Sequence, residues 1–159
     1  MTRNPDPSIT LENLQGTTRT LDDWMTMFHL CCVILPDRPE AREWLPVVRR
    51  ILRVLGDADC HVAICLTASA AIAHKILEEN ADEFMVFIDP DRTFVGSLGL
   101  THLPAFVHLG QDTSLIAAAV GWNPAEWQRV ADEIAQSMGW KTPTISGPND
   151  PEPTTGWAI

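Results

Sequence analysis

Apolar positions along this chain follow two periods, and the switches between them mark its elements. Leu30-Cys31-Cys32-Val33-Ile34-Leu35 is a continuous apolar run stopped by Pro36, which predicts a central strand covered on both faces. His61-Val62-Ala63-Ile64-Cys65-Leu66 predicts a second such strand. Phe84-Met85-Val86-Phe87-Ile88 predicts a third, ended by the turn formers Asp89-Pro90-Asp91. Between the first two, Trp44, Val47, Val48, Ile51, Leu52 and Leu55 form one helical stripe with arginines opposite. Pro39 suits the first turn of that helix and Gly56 its end, whereas Pro46 predicts a kink inside it. Ile72, Ala73, Ile76 and Leu77 keep helical spacing within 68–80, and a short helical piece is expected through Phe94, Val95 and Leu98.

The flanks read differently. Residues 9–14 and 17–21 predict two short extended pieces around Gln15-Gly16, followed by a short helix at Asp22-Asp23-Trp24-Met25 with an Asp as N-cap. Residues 105–109 and 115–120 predict an antiparallel hairpin turning at Gly110-Gln111-Asp112. Asn123-Pro124-Ala125-Glu126 is a capping-box signature opening a last helix, with Trp127, Val130, Ala131, Ile134 and Met138 on one face. Strands alternating with helices, then a hairpin and a helix, predict an α/β fold whose mixed central sheet is flanked by helices. Residues 1–8 are expected to be a flexible lead-in, 9–140 the folded domain, and 141–159 a Pro-rich C-terminal tail.

Charge and cysteine content narrow the function classes. A formal net charge of −10 speaks against nucleic acid or an anionic membrane as partner, because both need a basic footprint. Arg42, Arg49, Arg50 and Arg53 form a local basic run, expected to be a solvated helix face and otherwise a site for an anionic partner. The N-terminus shows no signal-peptide pattern, and no apolar run approaches the ~20 residues that span a bilayer. A cytoplasmic location is therefore expected, with Cys31, Cys32, Cys60 and Cys65 reduced rather than joined in a disulfide framework.

The order of elements and two local motifs resemble the thioredoxin superfamily. A strand at 30–35, a loop and a helix carrying Pro46 resemble the segment where thioredoxins carry Cys-x-x-Cys at the helix start, five residues ahead of a kinking proline. Counting back from Pro46, the two cysteine positions hold Arg38 and Ala41. Leu98-Gly99-Leu100-Thr101-His102-Leu103-Pro104-Ala105-Phe106 is similar to the segment ending in the family's cis-proline, which implies a cis peptide at Leu103–Pro104. The leading hairpin and the stretch 87–104 are closer to peroxiredoxin-type and cytochrome-maturation-type relatives. Leu21-Asp22-Asp23-Trp24 and Asp37, Pro39 and Glu40 are similar to short stretches of hydrogenase-maturation chaperones, which keep the fold without the cysteine pair.

Thioredoxin chemistry needs an exposed thiolate at a helix N-terminus and a second thiol to resolve the mixed disulfide. Arg38 and Ala41 supply neither. The resemblance then implies a redox-inactive, non-catalytic module, chaperone- or adaptor-like, that binds a protein or extended peptide. The candidate binding residues are Asp37, Arg38, Glu40, His102, Leu103, Pro104 and Trp157. Arg38 is expected either to pair with Asp37 or Glu40 or to hold an anion, and Trp157 to pack on this domain or on a second copy through the tail. The alternative is a thiol-dependent oxidoreductase or redox sensor using Cys60, expected to be the most exposed thiol, or the Cys31/Cys32 pair. Those two should point to opposite sides of their strand. His29, Cys31, Cys60 and His61 match no zinc spacing, so neither a metal nor a cofactor is expected.

Overall fold

The computed structural model describes residues 1–25, 29–56, 60–139 and 144–159. The strands are β1 (Thr10–Asn13), β2 (Thr18–Thr20), β3 (His29–Leu35), β4 (Cys60–Leu66), β5 (Met85–Ile88), β6 (His102–Leu103), β7 (Ala105–Leu109), β8 (Leu115–Val120) and β9 (Trp157–Ala158). The helices are α1 (Leu21–Trp24), α2 (Leu45–Leu55), α3 (Ala70–Leu77), α4 (Asn80–Glu83), α5 (Thr93–Ser97) and α6 (Pro124–Ser137). Seven strands form one mixed sheet in the order β2-β1-β5-β4-β3-β7-β8. The β3, β4 and β5 strands run parallel, and both flanks pair antiparallel.

The sheet separates two apolar layers. Val33 and Leu35 pack with α2, α3 and α6, through side chains such as Val48, Ile51, Leu77, Trp127 and Ile134. Cys32 and Ile34, one residue out of phase, pack with Leu21, Phe94, Val95 and Leu98 on the opposite face. β3 is buried from Leu30 onward, as a strand covered on both faces must be.

Local chemistry departs from the sequence reading at four places. The helix expected to run from Pro39 through a kink at Pro46 is two pieces, a 3-10 helix at Pro39–Trp44 and then α2. Pro46 falls in the first turn of α2, where N–H groups have no partner within that helix and a proline is tolerated. The helix expected over 68–80 stops at Leu77, with Glu78 at φ 52°, before α4 begins. The N-cap of α1 is Thr20 rather than an Asp; its hydroxyl accepts from Asp23 N at 3.2 Å. At α6 the Asn123 side chain accepts from the N–H groups of Ala125 and Glu126. The Glu126 carboxylate pairs with Arg129 at 3.1 Å, so this cap works through Asn123.

The basic run is engaged by the chain itself. Arg42 pairs with Glu78, Arg49 reaches Asn80, Arg53 forms a two-pronged bond with Glu83, and Arg50 grips Asp150 through two nitrogens at 3.0 Å each. Arg50 also donates to the Ile145 carbonyl. The segment read as lying outside the core therefore folds back, and Ile145 is fully buried among the side chains of the α2 face. The first residues are tied down as well: Arg3 N donates to Leu98 O at 2.9 Å, and Asp6 N to Ser97 Oγ at 2.7 Å.

Candidate functional site

The C-terminal end of β3 delivers the chain into Pro36, Asp37 and Arg38, and Pro39 then starts the 3-10 helix. Across from this loop lies β6, followed by the cis peptide Leu103–Pro104. A third segment completes the surface. β9 lies antiparallel along β6, with Leu103 opposite Trp157 and His102 opposite Ala158. The Ile159 N–H donates to the Thr101 carbonyl at 3.0 Å and extends the pairing.

Trp157 sits between two groups. The Arg38 guanidinium lies 5.0 Å from its ring centroid, within cation–π range. Trp44 meets it edge to face at 5.6 Å and 83°. Arg38 Nε is also 3.6 Å from Glu40, whereas Asp37 is 3.8 Å from Arg92. Pro36, Asp37, Arg38, Arg92, Leu103 and Ile159 border a cavity of about 90 Å³. His102 lies beside the Thr101 hydroxyl, its Nδ1 at 3.1 Å. The structure thus gathers Arg38, Leu103 and Trp157 at one surface, with Asp37 on its cavity and Glu40 joined through Arg38. Ala41, at the second motif position, is fully buried. The reading of the residues missed Trp44, taken only as core, and Gly156. At φ +81° Gly156 leaves no room for a side chain, because a Cβ there would collide with the Leu103 carbonyl.

Cys31 and Cys60 lie towards the other end of the sheet, Cys32 is mid-strand, and Cys65 is near the C-terminal end of β4. Cys60, expected to be the most exposed, is buried, as are Cys31, Cys32 and Cys65. Cys31 and Cys32 face opposite layers, so they cannot act as a facing pair. Parallel register sets His29 opposite Cys60 and Cys31 opposite Val62. Cys31 and Cys60 are therefore diagonal neighbours on one face, with their sulfurs 3.4 Å apart. Cys31 S–H donates to Cys60, whose own S–H donates to the Leu55 carbonyl at 3.3 Å. The hydrogen bond to Cys60, and then burial, push the Cys31 thiol well up. Burial does the same to Cys32 and Cys65. The pairing was invisible in the sequence because it depends on strand register.

Beside that pair stands His108, opposite Cys31 in the register and fully buried. Its Nε2 is 2.8 Å from His29 Nδ1, and its own Nδ1 has no partner among the described residues. Burial, with a smaller contribution from His29, lowers its pKa to about 4, so it is neutral at physiological pH. Among the described residues, no group of three or more His, Cys, Asp or Glu side chains is arranged to hold a metal ion. No helix among them is long and apolar enough to cross a membrane.

No family model and no curated protein matches this chain. Solved structures do. A putative thiol:disulfide interchange protein DsbE from Chlorobium tepidum is 18% identical, with a TM-score of 0.70 over 87% of this chain and 99% of that one. A putative thioredoxin from Neisseria meningitidis is 15% identical, with a TM-score of 0.67 over 86% and 91%. Peroxidoxin BcpB from Mycobacterium tuberculosis is 12% identical, with a TM-score of 0.65 over 87% and 97%. At such identity the likeness speaks to architecture alone. The chain has a thioredoxin-like fold, a mixed sheet flanked by helices.

Proposed function

We propose that this chain is a thiol-dependent redox protein whose exchanging pair is Cys31 and Cys60, acting as a slow sensor rather than a fast turnover oxidoreductase. The observation that carries this reading is the 3.4 Å separation of their sulfurs. A disulfide bond is ~2.05 Å long, so closure needs an approach of about 1.4 Å. The names of the resembling structures, a thiol:disulfide interchange protein and a peroxidoxin among them, favour a thiol role over a redox-inactive one. Raised thiol pKa values and burial argue for slowness, since the thiolate is the reactive form. In the balanced reaction the two thiols lose their hydrogens and form one S–S bond. One peroxide is reduced to two waters, or one small-molecule disulfide to two thiols. A reducing cytoplasm would keep the pair as thiols until such an oxidant arrives.

Exposing the native chain to hydrogen peroxide or oxidised glutathione, then mapping it by mass spectrometry, should yield a linked peptide containing Cys31 and Cys60. Cys60→Ser should abolish the link and Cys65→Ser should leave it. Four free thiols after exposure would overturn the reading.

A second reading is favoured by a separate observation. The strand pairing of β9 on β6 beside Pro104 supports a non-catalytic, adaptor-like module that binds extended peptide or protein segments along this edge. Arg38 and Leu103 would form the contact surface, with Asp37, Glu40, His102 and Pro104 around it, and Trp157 would mark the place that a large side chain of the bound segment takes. Retention of an extended peptide by the chain, lost on Arg38→Ala, would support it; equal retention by both would count against it.

A further inference from the structure

We infer that the last four residues are a self-ligand: Gly156-Trp157-Ala158-Ile159 fills a peptide site made by the β6 edge, Arg38 and Trp44. An extended peptide with the pattern Gly-aromatic-small-branched enters by displacing them. The inference rests on the peptide-binding reading and adds what fills the edge, what chemistry it selects and how it opens.

The C-terminal segment has two unlike parts. Upstream it is fastened. Ile145 is fully buried, the Asp150 carboxylate takes two bonds from Arg50, and Thr154 exchanges both backbone hydrogen bonds with Trp122 at 2.8 and 2.9 Å. Downstream it is held lightly. β9 is two residues long, Trp157 is half-buried, Ala158 is exposed, and Ile159 is 38% exposed. A two-residue ladder with little burial opens at low free-energy cost.

The light part nevertheless has the features of a recognised ligand. Its backbone continues the β6 ladder, the source of affinity when a strand is added to an edge. Its one large side chain meets a cation on one side and an aromatic edge on another, and both groups lie outside the tail. Glycine is needed ahead of the aromatic residue because a Cβ would strike Leu103 O.

The fit is also incomplete. The cavity of about 90 Å³ between this strand and the Asp37–Arg38 loop remains beside Ile159. A permanent core strand would be expected to fill it. The fastened part acts as a tether, so the strand competes at a high effective concentration and returns when the outside peptide leaves.

The test uses the full chain and a labelled peptide, Asp-Pro-Glu-Pro-Thr-Thr-Gly-Trp-Ala-Ile, copied from residues 150–159. Trp157→Ala removes the anchor, and Gly156→Val prevents the strand from seating; neither alters the β6 edge, Arg38 or Trp44. Both variants should bind the peptide ~10-fold or more tightly than the unaltered chain. A peptide with its Trp replaced by Ala should bind neither. In the unaltered chain the Ile159 amide should be protected from hydrogen exchange, and excess peptide should speed its exchange. That measurement needs no variant. Equal binding by all three chains would overturn the self-ligand while leaving the peptide-binding reading standing. No binding by any chain, with Ile159 exchange unaffected by peptide, would overturn both. A solution dimer in which β9 is exchanged between copies would overturn occupancy within one chain.

Discussion

The two ends of β3 invert the arrangement that a thioredoxin-like fold leads one to look for. At its C-terminal end, where the resemblance places sulfur, the chain offers a guanidinium, a buried methyl group and its own C-terminal strand. At its N-terminal end, two sulfurs and two imidazoles share one face under α2 and α6. The first end is half-wet, charged and held by a short ladder; the second is drier, with Cys31, Cys60 and His108 buried and His29 half-buried. If both proposed readings hold, the scaffold separates peptide recognition from thiol exchange by the length of one strand.

The change with the largest expected effect sharpens the contrast from the recognition side. Trp44 is buried in the core and also forms one wall of the Trp157 subsite. Trp44→Ala should cost about 3–5 kcal/mol in urea unfolding, as for other buried aromatics cut to Ala. Trp157→Ala, which touches only the wet end, should cost far less. Similar losses for the two would break the distinction between core and subsite.

Next comes the dry end. His108 titrates near 4 in the folded chain against 6.5 ordinarily, so the unfolded chain takes up the proton first. Its contribution is complete above about pH 6.5 and is lost as pH falls towards 4, at up to about 1.4 kcal/mol per pH unit and about 3 kcal/mol in all. Asp89 works in the opposite sense, because burial raises its pKa against the pull of the Val95 and Phe94 N–H groups. The comparison to make is therefore between the chain and His108→Phe, by urea unfolding at pH 7 and 4.5. The variant should lose less stability on acidification; parallel losses would show that burial of His108 is not what the pH dependence reports.

A smaller effect is expected at the tether. Burial pushes the Asp150 carboxyl up, but the bonds from Arg50 and Gly147 N outweigh it and hold it below its usual range. Asp150→Ala should cost about 1.5–3 kcal/mol and free Ile145 before it affects β3. Protection of Ile145 at the level of the β3 amides after this change would mean that the tail is held by something else. Smallest of all is Arg38→Ala, which removes one face of the Trp157 subsite and should cost about 0.5–1 kcal/mol. Hydrogen exchange at Ile159, rather than global unfolding, is the measurement sensitive enough to detect it.

Much of the frame was legible in the residue pattern, because buried strands and amphipathic helices have periods. The run 30–35, the stripe from Trp44 to Leu55, the 105–120 hairpin and the Asn123 cap all correspond to observed elements. The cis peptide at Leu103–Pro104, implied by the resemblance, is present too. What was not legible has no period. The stretch 144–159 is proline-broken and polar, and its docking depends on single groups, Arg50 with Asp150 and Gly156 under Leu103. The Cys31–Cys60 contact depends on strand register and joins two residues 29 apart in sequence. Parity put Cys31 and Cys32 on opposite faces, but parity within one strand cannot say which thiol of the next strand meets them.

The six tryptophans include two edge-to-face couples, Trp44 with Trp157 and Trp122 with Trp127 at 4.9 Å and 81°. Indoles this close share their excited states, so each couple should give its own exciton signature in circular dichroism. One couple lies wholly within the core, and the other spans the C-terminal strand and its seat. The molecule thus carries an internal optical reference beside an optical gauge of strand release, and an opening event can be followed without attaching any dye.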